Sequence, residues 1–320
     1  MTLRLARLET FPELPGTRPG WESGGARPRF RLAGGVAVRL GRDLTAELER
    51  PSALRRDATL LTASDDLSIV VAAGRSAAWV ERPDGVLTLP IPGVDSAAFP
   101  AARTDRLLLT VADPDGGPHE VLLIDPTAGN DTAARIDRLT VDTEDATAFS
   151  LVHPADGSVL IEFAMGQDGS ALLRVDVVND RLTAEELFPG EDPVTACFCE
   201  DGSRLLLVPH PTDPETTRVV SWPGLATIGS LDAAEAGVDM GWGLSATMLP
   251  DGRVLLIAQG EGLVATGPAL EDPQRIDIPW LDEDGEVEWV CALDERRLAL
   301  GVWTPQDRRI DVCRVSEGPP

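Results

Sequence analysis

Histidine and cysteine are common metal ligands and nucleophiles, and this 320-residue chain has three histidines and four cysteines. His119, His153 and His210 show no H-x-H or H-E-x-x-H spacing. Cys197 and Cys199 lie on one predicted strand with no further ligand nearby, which is a poor arrangement for structural zinc. The sequence therefore predicts buried structural cysteines, no metal site and no cofactor.

Two acidic segments superficially resemble calcium-binding loops. Residues 113–117 are Asp-Pro-Asp-Gly-Gly and residues 282–288 are Asp-Glu-Asp-Gly-Glu-Val-Glu, and neither has the complete order of acids found in such loops. We interpret the first as a hairpin turn that uses glycine at positive φ. A carboxylate pair such as Asp282 and Glu286 could perform general acid–base catalysis if burial raised one pKa.

Known catalytic motifs are missing from the sequence. It has no G-x-S-x-G elbow, no phosphate-binding glycine loop and no G-x-G-x-x-G. All 28 basic residues are arginine and there is no tyrosine, so lysine Schiff bases and tyrosine nucleophiles are excluded. The sequence favours a non-catalytic protein and leaves an enzyme as the alternative.

A tight acidic turn between two apolar runs recurs along the chain. Clear copies contain Gly157, Gly202 and Gly252, each directly after an aspartate, and weaker copies turn near residues 65, 105 and 294. Their mean separation is about 46 residues, which is typical of four-stranded propeller blades. The apolar runs show strand rather than helix periodicity, except for a short helical turn predicted at 231–236.

One repeat contains Phe149, then Asp156-Gly157, an apolar run, a polar loop and a second apolar run ending at Asp176. The segments 99–125 and 198–222 follow similar orders. This arrangement resembles the blade repeat of WD40-like propellers, including the TolB type. The resemblance covers the chain from about residue 58 onward and implies an architecture rather than an activity.

Six turns indicate six blades, and residues 29–48 can supply three strands of a seventh, degenerate blade. The last repeat, residues 287–315, has only three strands, so we expect residues 3–9 to add the fourth and close the last blade. The predicted fold is an all-β, seven-bladed propeller forming a single domain over residues 1–320, with six blades as the alternative.

The charge balance restricts the class of partner. The chain has 28 basic and 53 acidic residues and a net charge of -25, which disfavours nucleic acid and anionic membranes. We interpret the acidity as a solubilising surface or as a match to a basic partner. The absence of lysine fits the codon bias of a GC-rich bacterial genome, with selection against lysine modification as the alternative.

Two further features bear on location. The first residues lack the apolar segment and cleavage site of a signal peptide, and no stretch is apolar enough to span a membrane. Few cysteines are present, as expected in a reducing compartment. The sequence therefore predicts a cytoplasmic protein.

In a propeller, loops between second and third strands share one rim with the loops that enter the next blade. Acidic residues concentrate on this predicted rim, and Trp242 and Trp280 beside it are candidate interface anchors. We predict a monomeric protein-interaction scaffold that binds a basic protein through this rim and the channel mouth. The alternative is a propeller enzyme or small-molecule binder with a carboxylate- or histidine-lined channel. The predicted partner-binding residues are His119, His210, Asp213, Glu215, Asp239, Trp242, Asp282, Asp284 and Glu286.

Overall fold

The computed structural model describes residues 3–12, 29–41, 44–55, 57–100, 103–281 and 284–317. These residues form seven antiparallel sheets, so the fold is an all-β, seven-bladed propeller with very little helix, as predicted. A short helix, α1, covers Asp131–Ala134. No helix in the described part of the chain has both the length and the apolar composition to cross a membrane. The blades fall into two compact units, and the single domain predicted for residues 1–320 stays a prediction.

The first unit contains blades 1 to 4. Its strands are β2 (Arg29–Ala33), β3 (Val36–Leu40) and β4 (Ala46–Pro51) in blade 1; β5 (Thr59–Ala63), β6 (Val70–Ala73), β7 (Ala78–Arg82) and β8 (Gly85–Leu89) in blade 2; β9 (Val94–Ala98), β10 (Leu107–Val111), β11 (His119–Ile124) and β12 (Arg135–Val141) in blade 3; and β13 (Thr147–Val152), β14 (Val159–Ala164), β15 (Ser170–Val178) and β16 (Arg181–Leu187) in blade 4. Blade 1 has three strands among the described residues, which confirms the degenerate blade expected at 29–48.

The second unit contains blades 5 to 7. Its strands are β17 (Val194–Phe198), β18 (Arg204–Val208), β19 (Thr216–Ser221) and β20 (Thr227–Asp232) in blade 5; β21 (Trp242–Met248), β22 (Val254–Ala258), β23 (Gly262–Thr266) and β24 (Gln274–Ile276) in blade 6; and β25 (Glu286–Ala292), β26 (Arg297–Trp303), β27 (Arg308–Glu317) and the N-terminal β1 (Leu3–Pro12) in blade 7. Strand β1 pairs antiparallel with β27 from Leu3 opposite Glu317 to Pro12 opposite Arg309, which confirms the predicted closure of the last blade.

The core of each unit lies between neighbouring blades. The second strand of a blade is apolar on both faces because it is covered on both sides, and every residue of β10 and β22 is buried. Val71 and Leu109 share one apolar cluster in the first unit, and Leu206 and Leu256 share one in the second. The helical turn predicted at 231–236 is only partly observed. Residues 231 and 232 end β20, and the turn that follows is closed by the Ala236 amide donating to the Asp232 carbonyl at 3.2 Å.

The recurring acidic turns share one hydrogen-bonding pattern. The Oδ1 atoms of Asp66 and Asp201 each accept a 2.9 Å bond from the amide two residues later, and a nearby serine hydroxyl donates to the same oxygen. Gly202 adopts a φ of 75° in the turn, and Leu67 occupies the equivalent place with a φ of 55°. The Leu67 side chain is fully buried, and this burial offsets the cost of the left-handed backbone.

These turns make folding sensitive to acid. Hydrogen bonds from the Ser68 amide, then from the hydroxyls of Ser68 and Ser64, lower the pKa of Asp66 from 3.8 to about 2. The Cys199 thiol, followed by Ser203, lowers the pKa of Asp201 to about 2 in the same way. Because both values lie below the unfolded value, these groups stabilise the fold above about pH 4, and the effect is lost as the pH falls from about 4 to about 2. In urea unfolding at pH 5 to 2, we expect an Asp66→Asn, Asp201→Asn variant to lose stability less steeply than the wild type, and equal slopes would contradict the assignment.

Candidate functional site

Several loops of the second unit meet at one edge of its sheets. The Trp242 amide donates to the Pro214 carbonyl at 2.8 Å, and the Asp239 amide donates to Glu261 Oε1 at 2.7 Å. These bonds hold the loops 209–215, 238–242 and 259–261 against one another. Strands β21 and β25 run side by side. The Val290 amide donates to Ser245 Oγ at 3.1 Å, and the Ala292 amide donates to Thr247 Oγ1 at 3.1 Å. Both residue numbers increase together, so the two strands run in the same direction. The start of β25 therefore lies at the same edge as the start of β21.

Five of the predicted partner-binding carboxylates belong to this edge of the second unit. All are exposed, and none of them forms an ion pair with any described residue. We call this set the acidic rim: Asp213, Glu215, Asp239, Asp284 and Glu286. Asp282, the remaining predicted acid, lies outside the described residues. Unpaired carboxylates on neighbouring loops concentrate negative potential, which favours a cationic ligand.

Neighbouring acids at this edge are neutralised within the protein. Glu261 bonds Arg275, and Glu288 Oε1 accepts a 2.9 Å bond from Arg308. The Asp239 amide, and then the Arg275 guanidinium, hold the pKa of Glu261 below its usual value of 4.5. These two acids are already paired, so the acidic rim supplies the free negative charge.

Trp242 is not an exposed anchor, and its prediction as a partner contact is wrong. Its side chain is only 1% exposed and belongs to the apolar cluster between blades 5 and 6. The indole Nε1 donates to the Leu231 carbonyl at 3.3 Å, and the Trp242 carbonyl accepts a 2.9 Å bond from Gln259 Nε2. Trp242 therefore fixes the backbone from which neighbouring side chains project.

Trp280, the second predicted anchor, is half-buried. Its Nε1 donates to Asp311 Oδ2 at 3.0 Å, and the Arg7 guanidinium lies 5.7 Å from the ring centroid. These contacts are with the blade-closing strands, so Trp280 serves the packing of blade 7.

Two exposed apolar side chains beside Trp242 were not predicted from the sequence. Met240 is 65% exposed and Leu244 is 54% exposed, the former next to Asp239 of the acidic rim. In a regular strand Leu244 would share the buried face of Trp242. The pairing of β21 with β22 instead shifts register between Trp242 and Ala246, and Leu244 faces solvent.

His119 and His210 were predicted as partner contacts, but both side chains are buried. In the second unit His210 Nδ1 lies 2.8 Å from Thr212 Oγ1 and holds the 209–213 turn. In the first unit His119 Nδ1 lies 3.1 Å from the Thr143 carbonyl, and its Nε2 lies 3.6 Å from Asp95 Oδ2. Both rings fasten loops, so neither offers a direct contact to a partner.

The cysteines are structural in character. All four are buried and none is in a disulfide, and burial raises the pKa of Cys197 and Cys313 to about 12. These two thiols are therefore protonated at neutral pH and are poor nucleophiles or metal ligands. Within the described ranges, no three or more His, Cys, Asp or Glu side chains are arranged to hold a metal ion.

Comparisons with solved structures agree with this architecture. The β-propeller domain of Cps50 (Swd1) from Myceliophteria thermophila aligns over 98% of this chain and 100% of its own, with 13% identity and a TM-score of 0.60. The WD40 domain of Neurospora crassa Pan2 aligns over 98% of this chain and 96% of its own, with 11% identity and a TM-score of 0.57. The Dos1 propeller aligns over 90% of this chain and 75% of its own, with 9% identity and a TM-score of 0.55.

Searches by sequence gave a different result. No family model and no curated protein matches the chain. At 9–13% identity the structural similarity concerns the fold, and it confirms the WD40-like resemblance seen in the repeats.

Proposed function

We propose that this chain is a non-catalytic protein-interaction module that binds a basic protein partner through the acidic rim. The observation that carries the proposal is the set of five exposed carboxylates that form no ion pair with described residues, beside two exposed apolar side chains. Protein-binding sites combine an apolar centre with a polar rim, and this edge offers both kinds of group. The proposal keeps the predicted monomer and cytoplasmic location.

Electrostatics supports a basic partner over a neutral one. The net charge of -25 repels nucleic acid and anionic lipid while attracting cationic proteins. The unpaired acids of the rim would orient such a partner on approach. Exposed charge pairs are screened by salt, so binding through the rim should weaken as ionic strength rises.

The proposal can be tested with a variant that removes negative charges from the acidic rim and keeps hydrogen-bonding groups at the same positions. We expect Asp239→Asn, Asp284→Asn, Glu286→Gln to reduce partner recovery at least about tenfold, because three charge contacts are lost together. The measurement is affinity capture from the source lysate, quantified by mass spectrometry at low and moderate salt. The matched control is Glu49→Gln, Glu185→Gln, Glu186→Gln, which changes net charge equally at exposed positions on β4 and β16.

Proteins captured by the wild type and the control, and lost with the rim variant, would support the proposal. Equal recovery by all three proteins at both salt concentrations would refute it, because a specific electrostatic contact responds to both changes.

The alternative of an enzyme or small-molecule binder has one geometric feature in its favour. His119 and Asp95 approach each other in the first unit, and His119 Nε2 has no hydrogen-bond partner among the described residues. The ring is nevertheless only 1% exposed, so a substrate would need the surrounding loops to open. The interaction module therefore has the stronger support.

A further inference from the structure

We infer that the acidic rim takes an extended peptide segment with a large apolar side chain within about four residues of an arginine or lysine. This inference rests on the proposed function and specifies the kind of partner. The exposed residues Met240 and Leu244 lie on either side of the buried Trp242 in the sequence.

Burial of these two side chains would supply a short-range apolar contact. Among the described large apolar residues, Met240 is the most exposed at 65%, and Val178 and Leu244 come next at 55% and 54%. Methionine is unbranched and polarizable, so it adapts to different apolar partners. Leu244 projects from a strand that is fixed to blade 7 through the Ser245 hydroxyl, which makes it a rigid companion.

The spacing sets the length of the segment. Met240 and Leu244 are four residues apart, so their Cα atoms are at most about 14 Å from one another. Asp239 is adjacent to Met240, and Glu286 begins the strand that runs beside β21. A peptide with an apolar residue at the centre and a cation a few residues away would contact the exposed apolar side chains and the carboxylates of the acidic rim at the same time.

The small size of the apolar surface favours an extended segment over a folded partner. A stable interface between folded proteins buries about 800 Å² on each side and has an apolar centre. Two side chains bordered by carboxylates provide only part of such a centre. An extended peptide needs fewer contacts, and a flexible basic side chain can reach the carboxylates while its methylene groups cover Met240.

The experiment uses the full chain and arrays of synthetic 12-residue peptides in four sets. One set combines leucine or phenylalanine with arginine or lysine, a second has the basic residues alone, a third the apolar residues alone, and a fourth apolar and acidic residues. Dissociation constants are then measured by fluorescence anisotropy for the strongest peptide of each set. The variants are Met240→Ser and Leu244→Ser, singly and together, with Ile228→Ser and Val178→Ser as controls at exposed apolar positions elsewhere.

We expect the wild type and both controls to bind the mixed set at least about tenfold more tightly than the basic set, as for a buried apolar contact. The double variant should bind the two sets equally. Circular dichroism and thermal melting verify that each variant is folded. In wild-type protein with ¹³C-labelled methionine methyl groups, the Met240 signal should also shift when the mixed peptide is added.

Other results would overturn the inference. Equal wild-type affinity for the mixed and basic sets would indicate a purely electrostatic surface, and an unchanged preference in the double variant would place the apolar contact elsewhere. A dimer in sedimentation velocity that Met240→Ser abolishes would identify a second copy as the occupant. The proposed function fails differently: then no basic peptide would bind better than the acidic set, even at low salt.

Discussion

Replacing Asp311 by alanine is expected to lower the free energy of unfolding by about 3–5 kcal/mol, the range for removing one member of a buried ion pair. Asp311 is fully buried on β27 and lies directly opposite Thr10 of β1. Thr10 Oγ1 donates to its Oδ1 at 2.8 Å, and Trp280 Nε1 donates to its Oδ2 at 3.0 Å. Arg309 Nε lies 3.3 Å from the same Oδ2.

The effect is large because the partners cannot all turn to water. In Asp311→Ala the Trp280 N–H and the mostly buried Arg309 guanidinium would lose their shared acceptor. Each donor left without a partner adds a desolvation cost. Arg7 is more exposed, and its guanidinium lies 3.9 Å from Asp311 Oδ2, so the loss of this ion pair should change the free energy of unfolding little. The carboxylate thus joins β1, β27 and the segment before β25, which are the parts that complete blade 7.

Urea unfolding followed by circular dichroism measures this effect, and a double-mutant cycle tests its cause. Thr10→Val alone should cost about 1 kcal/mol, since it removes one hydrogen bond. In the Asp311→Ala background Thr10→Val should cost almost nothing, because its partner has already gone. An unfolding midpoint of Asp311→Ala equal to that of the wild type, or additive effects of the two changes, would show that the network does not hold β1.

The fold was predictable because its signals are local and repeated. A turn of the Asp156-Gly157 type stops one strand and reverses the chain, and the runs around it are apolar on both faces because neighbouring sheets cover them. The incomplete last repeat also required a fourth strand, which was predicted at residues 3–9 and is observed as Leu3–Pro12. These arguments need only the order of residues and the geometry of a strand.

The surface was harder to predict because side-chain direction depends on register. The shift between Trp242 and Ala246 turns Leu244 outward, and nothing in the sequence Trp-Gly-Leu-Ser marks it. His210 was predicted as a partner contact, but the ring is buried and its Nδ1 lies 2.8 Å from Thr212 Oγ1. The acids of the rim were easier, since exposure is the usual state of aspartate and glutamate.

Trp242→Ala should have a similarly large effect on stability, about 3–5 kcal/mol, as for other buried tryptophans replaced by alanine. The indole packs with Leu231 and Val238 in the apolar cluster between blades 5 and 6. Its removal leaves a cavity and frees the Leu231 carbonyl from its 3.3 Å bond. Trp242→Phe keeps most of the apolar volume and loses that bond, so it should cost about 1–2 kcal/mol.

Binding separates this positioning role from a direct contact. Trp242 is buried and does not contact the partner directly. Met240 and Leu244 project from the backbone that Trp242 fixes. We therefore expect Trp242→Phe to bind the mixed basic and apolar peptide nearly as the wild type does. Trp242→Ala should bind it at least about tenfold more weakly at a temperature where both variants remain folded. Equal unfolding midpoints for Trp242→Ala and Trp242→Phe, or full peptide affinity in Trp242→Ala, would show that the exposed pair keeps its position without the indole.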